Sequence, residues 1–192
     1  MCGIAGYFNP DQNYAENPKQ NFHTLSRMIN TMNHRGPDTY GHTIINSCCL
    51  AHTRLSIIDL ENGRQPMSYT KDGNTYYIVY NGEIYNYKEV KKTLLRKNYT
   101  FETNSDTEVI IAAFCHYGPG FVKELNGIFA IAIYDSMRNT LYLYRDRFGV
   151  KPLYYTKTGD TLVFASRIDT LFEYPRVRPC ICLLYTSPSP RD

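Results

Sequence analysis

Apolar and polar positions change rhythm several times along the chain, and each change predicts an element. Gly3–Phe8, GIAGYF, is a short apolar run with two glycines and reads as a strand. Over residues 22–33, Phe22, Leu25, Met28, Ile29 and Met32 fall at helical spacing. HRGPDTYG follows, with Gly36-Pro37 marking a turn. Residues 42–58 alternate and carry β-branched side chains, which predicts strands with a break. TYYIVY at 75–80 and EIYNY at 83–87 flank Asn81-Gly82, predicting a hairpin or tight turn because Asn-Gly accepts positive φ. Residues 88–98 read as a helix through Val90, Leu94 and Leu95. The stretch 105–118 opens with Ser105 and Glu108 at capping-box spacing. It continues with an apolar face of Val109, Ile110, Ala113, Phe114 and Tyr117. Two strand pairs close the chain, GIFAIAIY with TLYLYRD and VKPLYY with TLVFAS. Strands in runs with helices between them predict an α+β layered fold rather than alternating βαβ units. There are no internal repeats.

The length of 192 residues favours one domain with a real core, and 43% hydrophobic against 20% charged residues is a globular composition. The net charge of +3 is spread along the chain without a basic block, so no nucleic-acid or membrane-surface partner is expected. No apolar run is long enough to span a bilayer, and no basic region precedes a hydrophobic stretch at the N-terminus. With six cysteines but no secretory signal and no CxxC pair, a reducing cytoplasm is the expected compartment. His42, Cys48, Cys49 and His52 lie close together and read either as zinc ligands or as buried strand residues. The strand reading is favoured, and no metal is expected. The last residues, CLLYTSPSPRD at 182–192, lack periodicity and resemble translated adapter sequence. The folded domain is therefore expected over 2–179, with 180–192 a non-native tail.

One residue raises a chemical question. Cys2 follows the initiator methionine, so removal of Met1 leaves a thiol and a free amine on one Cα. An α-amine titrating near 7.7–8.0 can take the thiol proton, making a nucleophile with its own base. The alternative is a small residue suited to processing. Acyl transfer also needs oxyanion donors, and Asn81 with the Gly82 N–H can supply them, unless the pair is merely a turn. Arg54 can clamp a carboxylate through two parallel hydrogen bonds. Asp106 can face an ammonium group or act as a helix N-cap aided by the dipole. Together these groups suit cleavage of an amide on a small zwitterion.

The segments MCGIAGYF, HRGPD, AHTRLSIIDL, QPM, YNGEIYN, SDTEVII, LNGIFAIAIYD and RDRFGVKPLYY occur in that order over residues 1–179. They resemble the glutaminase domain of asparagine synthetases, class II glutamine amidotransferases of the N-terminal nucleophile hydrolase type. The resemblance implies a four-layer αββα sandwich. It implies Cys2 as nucleophile with its amine as base, and Asn81 with Gly82 as the oxyanion hole. It assigns Arg54 to the glutamine α-carboxylate and Gly82, Glu83 and Asp106 to the α-amino group. Leu55, Ser56, Ile57 and Ile58 would line the glutamine pocket. In complete family enzymes ammonia passes to a second domain, where ATP and Mg²⁺ activate aspartate. No SGGxDS or GxxxxGK stretch occurs here, so that synthetase domain, ATP and Mg²⁺ belong outside these residues. A homodimer is a candidate assembly, which the sequence leaves open. One departure is FASRID, where the family shows FASEIK; Arg167 and Asp169 reverse both charges. Two other readings stay open: an amidotransferase with a different ammonia acceptor, and a glutamine-binding module without turnover.

Overall fold

The computed structural model describes residues 1–55 and 63–180. Ser56, Ile57 and Ile58, expected in the pocket, and the expected tail from residue 181 onward lie outside the described residues. One antiparallel sheet holds β1 (Gly3–Phe8), β2 (Thr39–Ile45), β3 (Cys48–Arg54), β8 (Tyr154–Thr158) and β9 (Thr161–Ala165), in the order β2-β3-β1-β9-β8. A second antiparallel sheet holds β4 (Met67–Lys71), β5 (Asn74–Ile84), β6 (Gly127–Asp135) and β7 (Thr140–Arg145), in chain order. Helices α1 (Pro18–Met32) and α4 (Ile168–Leu171) cover the first sheet; α2 (Tyr87–Leu95) and α3 (Asp106–Tyr117) cover the second.

The period-2 alternation of each strand sorts side chains into three cores. Ala5, Tyr7, Cys49, Ala51 and Val163 face α1 and meet Leu25, Met28, Ile29 and Met32. Ile4, Cys48, Leu50 and Phe164 face the other way and meet Val79, Ala130, Ala132 and Tyr134 of the second sheet. Ile78, Ile84, Ile131 and Ile133 face outward from that sheet onto Leu94, Val109, Ile110 and Phe114. The result is the four-layer αββα sandwich the resemblance implied.

Several local expectations need correction. Asn81-Gly82 is no turn: β5 runs straight through it, with Asn81 opposite Ala130 and Gly82 opposite Phe129. The glycine is required by crowding, since a Cβ there would lie 2.2 Å from the Ile128 carbonyl oxygen. Ser105 does cap α3, accepting from the Thr107 N–H. Glu108 does not complete the capping box; its carboxylate accepts from the Glu102 and Thr103 N–H groups instead. Helix α1 starts at Pro18, whose fixed φ suits a first helical position, and Phe22 stays exposed against the His42 ring. Helix α2 stops at Leu95, followed by Asn98 at φ 62, a left-handed residue of the kind that ends helices. Strand β4 and the single-turn α4 were not expected; both are short.

The His-Cys cluster does not converge. Cys48 lies between the sheets and Cys49 on the α1 side, as adjacent strand residues must. Among the described residues no three metal-ligating side chains come together. No helix there is long and apolar enough to cross a membrane.

Phe164 is fully buried between the sheets. Phe164→Ala should lower unfolding free energy by about 3–5 kcal/mol, the scale for a truncated core aromatic. Urea unfolding with an unchanged m-value is the expected signature; a loss under 1 kcal/mol, below that scale, would place Phe164 outside the inter-sheet core.

Candidate active site

The inter-sheet rows change character at one end of the sandwich. On β3 the row Cys48, Leu50 continues into His52 and Arg54; on β5 the row Tyr77, Val79 continues into Asn81. Cys2 precedes Ile4 in the equivalent row of β1. These residues line a cavity of about 220 Å³ together with Leu55, Gly82, Glu83 and Asp106. Every expected site residue within the described segments is therefore brought to one place.

Cys2 is held from two sides. Its carbonyl accepts from Arg35 Nε at 3.1 Å, and its Sγ lies 3.5 Å from the donating Leu55 N–H. Arg35 reaches it because the 33–38 turn packs tightly on the end of β3: a Cβ on Gly36 would sit 2.5 Å from the Arg54 nitrogen. Asn81 is 2% exposed, and its Nδ2 is buried without a hydrogen-bond partner among the described residues. An amide donor left so costs about 1–3 kcal/mol, a cost that a ligand oxygen would remove.

Asp106 enters from the opposite layer. Its Oδ2 accepts from the Tyr80 hydroxyl at 2.9 Å and the Ile84 N–H at 3.4 Å. Burial nevertheless pushes its carboxyl above the usual carboxylate range, against these hydrogen bonds and that of the Thr107 N–H. The N-cap of α3 is Ser105 and not Asp106, which is the first residue of the helix and reaches the cavity from there. Arg54, 6% exposed, brings the opposite charge to the same cavity.

Sequence reasoning missed other lining residues, including His52, Gln65, Tyr80, Ser105, Thr107 and Lys151. His52 reads in the sequence as a zinc ligand or a buried strand residue and not as a site residue, although its place two residues before Arg54 on a strand puts both on one face. Burial pushes its imidazole down to about 3, so it is neutral, and its Nε2 has no partner among the described residues. Gln65 braces the wall, accepting from the Tyr80 N–H at 2.6 Å and donating to Thr107 Oγ1 at 3.2 Å. Lys151 is placed by Asp146, whose carboxylate accepts from the N–H groups of Phe129, Phe148, Val150 and Lys151.

A thiol, an unpaired amide donor, a guanidinium and a carboxylate in one small cavity are what a glutamine-cleaving site requires. Comparison with known proteins agrees. The glutamine amidotransferase domain profile matches residues 1–182. This chain belongs to that family. Over 178 residues the amidotransferase domain is 40% identical to asparagine synthetase [glutamine-hydrolyzing] 3 of Bacillus subtilis, covering 93% of this chain and 28% of the relative. It is 45% identical to asparagine synthetase [glutamine-hydrolyzing] 2 of the same organism over 175 residues, or 91% and 23%. The chain thus spans about a quarter of the length of these relatives. The solved glutamine phosphoribosylpyrophosphate amidotransferase of B. subtilis superimposes with a TM-score of 0.69 at 20% identity, covering 89% of this chain and 43% of that one. That likeness carries the fold alone.

Asp106 also makes a stability prediction. Its folded pKa is raised, so the stability it lends is fully present below its unfolded pKa and is lost as pH rises through the folded value. At neutral pH burial makes the ionised group a cost. Asp106→Asn keeps an acceptor for Tyr80 and should raise the thermal midpoint at pH 7, with the gain shrinking on acidification. A midpoint that falls at pH 7 would make the carboxylate a structural ion rather than a waiting ligand.

Proposed function

We propose that this domain hydrolyses the side-chain amide of glutamine with Cys2 as nucleophile. The observation that carries the reading is the buried, unpartnered Asn81 Nδ2 in the same cavity as the Cys2 thiol. Once Met1 is removed, the freed α-amine takes the thiol proton and the thiolate attacks the amide carbon. The tetrahedral oxyanion rests on Asn81 Nδ2 and the Gly82 N–H. Nitrogen leaves as ammonia with the proton returned by the ammonium, a γ-glutamyl thioester remains, and water releases glutamate. Arg54 binds the α-carboxylate; Asp106, with Glu83 and the Gly82 backbone, binds the α-ammonium. Leu55 lines the substrate's path, as do Ser56, Ile57 and Ile58 by resemblance.

In the same reading the ammonia serves a synthetase domain that uses ATP and Mg²⁺ to amidate aspartate, as the names of the relatives suggest. The protein then acts in the cytoplasm on free metabolites, without nucleic-acid or membrane partners, and a homodimer is the assembly to test for. A second reading turns on whether Met1 is removed. A chain that keeps Met1 has no free amine on Cys2 and would hold glutamine without turning it over.

Intact mass should therefore show loss of Met1, and a glutamine-like electrophile should alkylate Cys2. Labelling of Cys48, Cys49 or Cys115 in its place would sink the nucleophile assignment.

Two substitutions separate binding from chemistry. Asn81→Ala should lower turnover by roughly 10²–10³, the scale for losing one oxyanion donor. Arg54→Ala should raise KM with little change in kcat, because the α-carboxylate is bound alike in ground and transition states. Unchanged turnover in Asn81→Ala would leave the amide a structural group.

A further inference from the structure

We propose that a second cavity, of about 490 Å³ beside the 33–38 turn, β8 and α4, is a site for a phosphate-type oxyanion. Arg35, Arg167 and Asp169 are its charged lining groups, so two guanidiniums face one carboxylate. Asp169 is spent on Arg167, accepting from its Nε at 2.8 Å and from its Nη2. Arg167 Nη1 lies 2.8 Å from His34 Nε2. Arg35 is left without an acidic partner among the described residues. Its Nε holds the Cys2 carbonyl, and its Nη2 is buried with no hydrogen-bond partner.

An uncompensated, partly desolvated guanidinium is expensive, and a carboxylate or phosphate oxygen is what its planar fork matches. Burial and the neighbouring Arg167 both push the Arg35 pKa down, which is the same conflict seen from the proton's side. Two hydroxyl-bearing residues share the cavity. Ser166 Oγ uses acceptor capacity on the Ile4 N–H, leaving its O–H to donate, and Tyr154 supplies a phenol. A guanidinium with two hydroxyls offers donors in more than one plane, which favours a tetrahedral oxyanion over a flat carboxylate. Nothing in the glutamine reaction uses this cavity, but Arg35 touches both it and the backbone of Cys2. An anion held there would steady the residue that places the nucleophile.

The test is a titration of inorganic phosphate with the full chain, read as phosphorus NMR line broadening at ionic strength held constant with chloride. Saturable broadening is expected. Arg167→Glu places a carboxylate of the chain's own beside Arg35 and should weaken phosphate binding by about tenfold or more. Arg167 is at the surface, and circular dichroism checks that the variant folds. Should it not fold, Tyr154→Phe takes its place, with an expected loss of about tenfold or more for one donor to an anion. No saturable broadening, or binding unchanged by the folded variant, overturns the site. Acetate competing as tightly as phosphate overturns the assignment of oxyanion class. Because the readout is binding and needs no glutamine, its failure leaves the proposed hydrolysis standing, and the converse also holds.

Discussion

Three rows of side chains between the sheets build both the core and the wall of the cavity. On β1 the row reads Phe8, Gly6, Ile4, Cys2; on β3 it reads Cys48, Leu50, His52, Arg54; on β5 it reads Tyr77, Val79, Asn81. Antiparallel pairing fixes the rows against one another, with Ile4 opposite His52 and Gly3 opposite Thr53. A one-residue slip would turn the thiol and the guanidinium towards α1 and drop Thr53 into the cavity. Register therefore decides what lines the cavity as well as what fills the core. It is pinned by the apolar halves of the rows, where Phe164, Ile4 and Leu50 interdigitate with Val79, Ala130 and Ala132. The small alanines of β6 leave room for the large residues opposite them.

The polar halves of those rows run against the rule that buried polar atoms are paired. Among the described residues, five buried side-chain nitrogen or oxygen atoms lack a partner, and three of them, on Arg35, His52 and Asn81, surround Cys2. Each costs about 1–3 kcal/mol where it stands. A fold tolerates such a cluster when a ligand completes it, and the remainder of the sandwich, with its three packed cores, supplies the stability against which that cost is set. Asp106 belongs to the same pattern with the charge reversed: hydrogen bonds hold it in place, yet burial disfavours its ionised form until a cation arrives.

Much of this was legible in the sequence, and the limits have physical causes. Strong periodicity gave the helices and the long strands, and the layered α+β class followed. Asn81-Gly82 misled because the dipeptide that best suits a tight turn also suits a strand that must pass close to its neighbour's backbone. Local propensity sees the permissive glycine but not the Ile128 carbonyl that demands it. Ser105 and Glu108 had the right spacing for a reciprocal cap, but Glu108 found two N–H donors in the preceding loop. At the site, the chemically conspicuous residues were found and the supporting ones were not. Gln65 and Lys151 are ordinary residues in sequence and reach the cavity only through long-range contacts, with Tyr80 in one case and through the Asp146 loop in the other.

The arrangement also explains why a zwitterion would enter in one orientation. Arg54 belongs to the inter-sheet rows, whereas Asp106 stands at the start of an outer helix and reaches the cavity past the edge of β5, tied to Tyr80 and Ile84. The two charges come from different layers of the sandwich, a strand end and a helix start. A ligand bearing both a carboxylate and an ammonium on one carbon bridges them and leaves its side chain free to run towards Cys2 and Asn81. A ligand that lacks the ammonium leaves the buried Asp106 carboxylate without a cation, which is a selection against it as well as a weaker attraction. Specificity for an α-amino acid amide then rests on layer geometry, and the thiol needs no selectivity of its own.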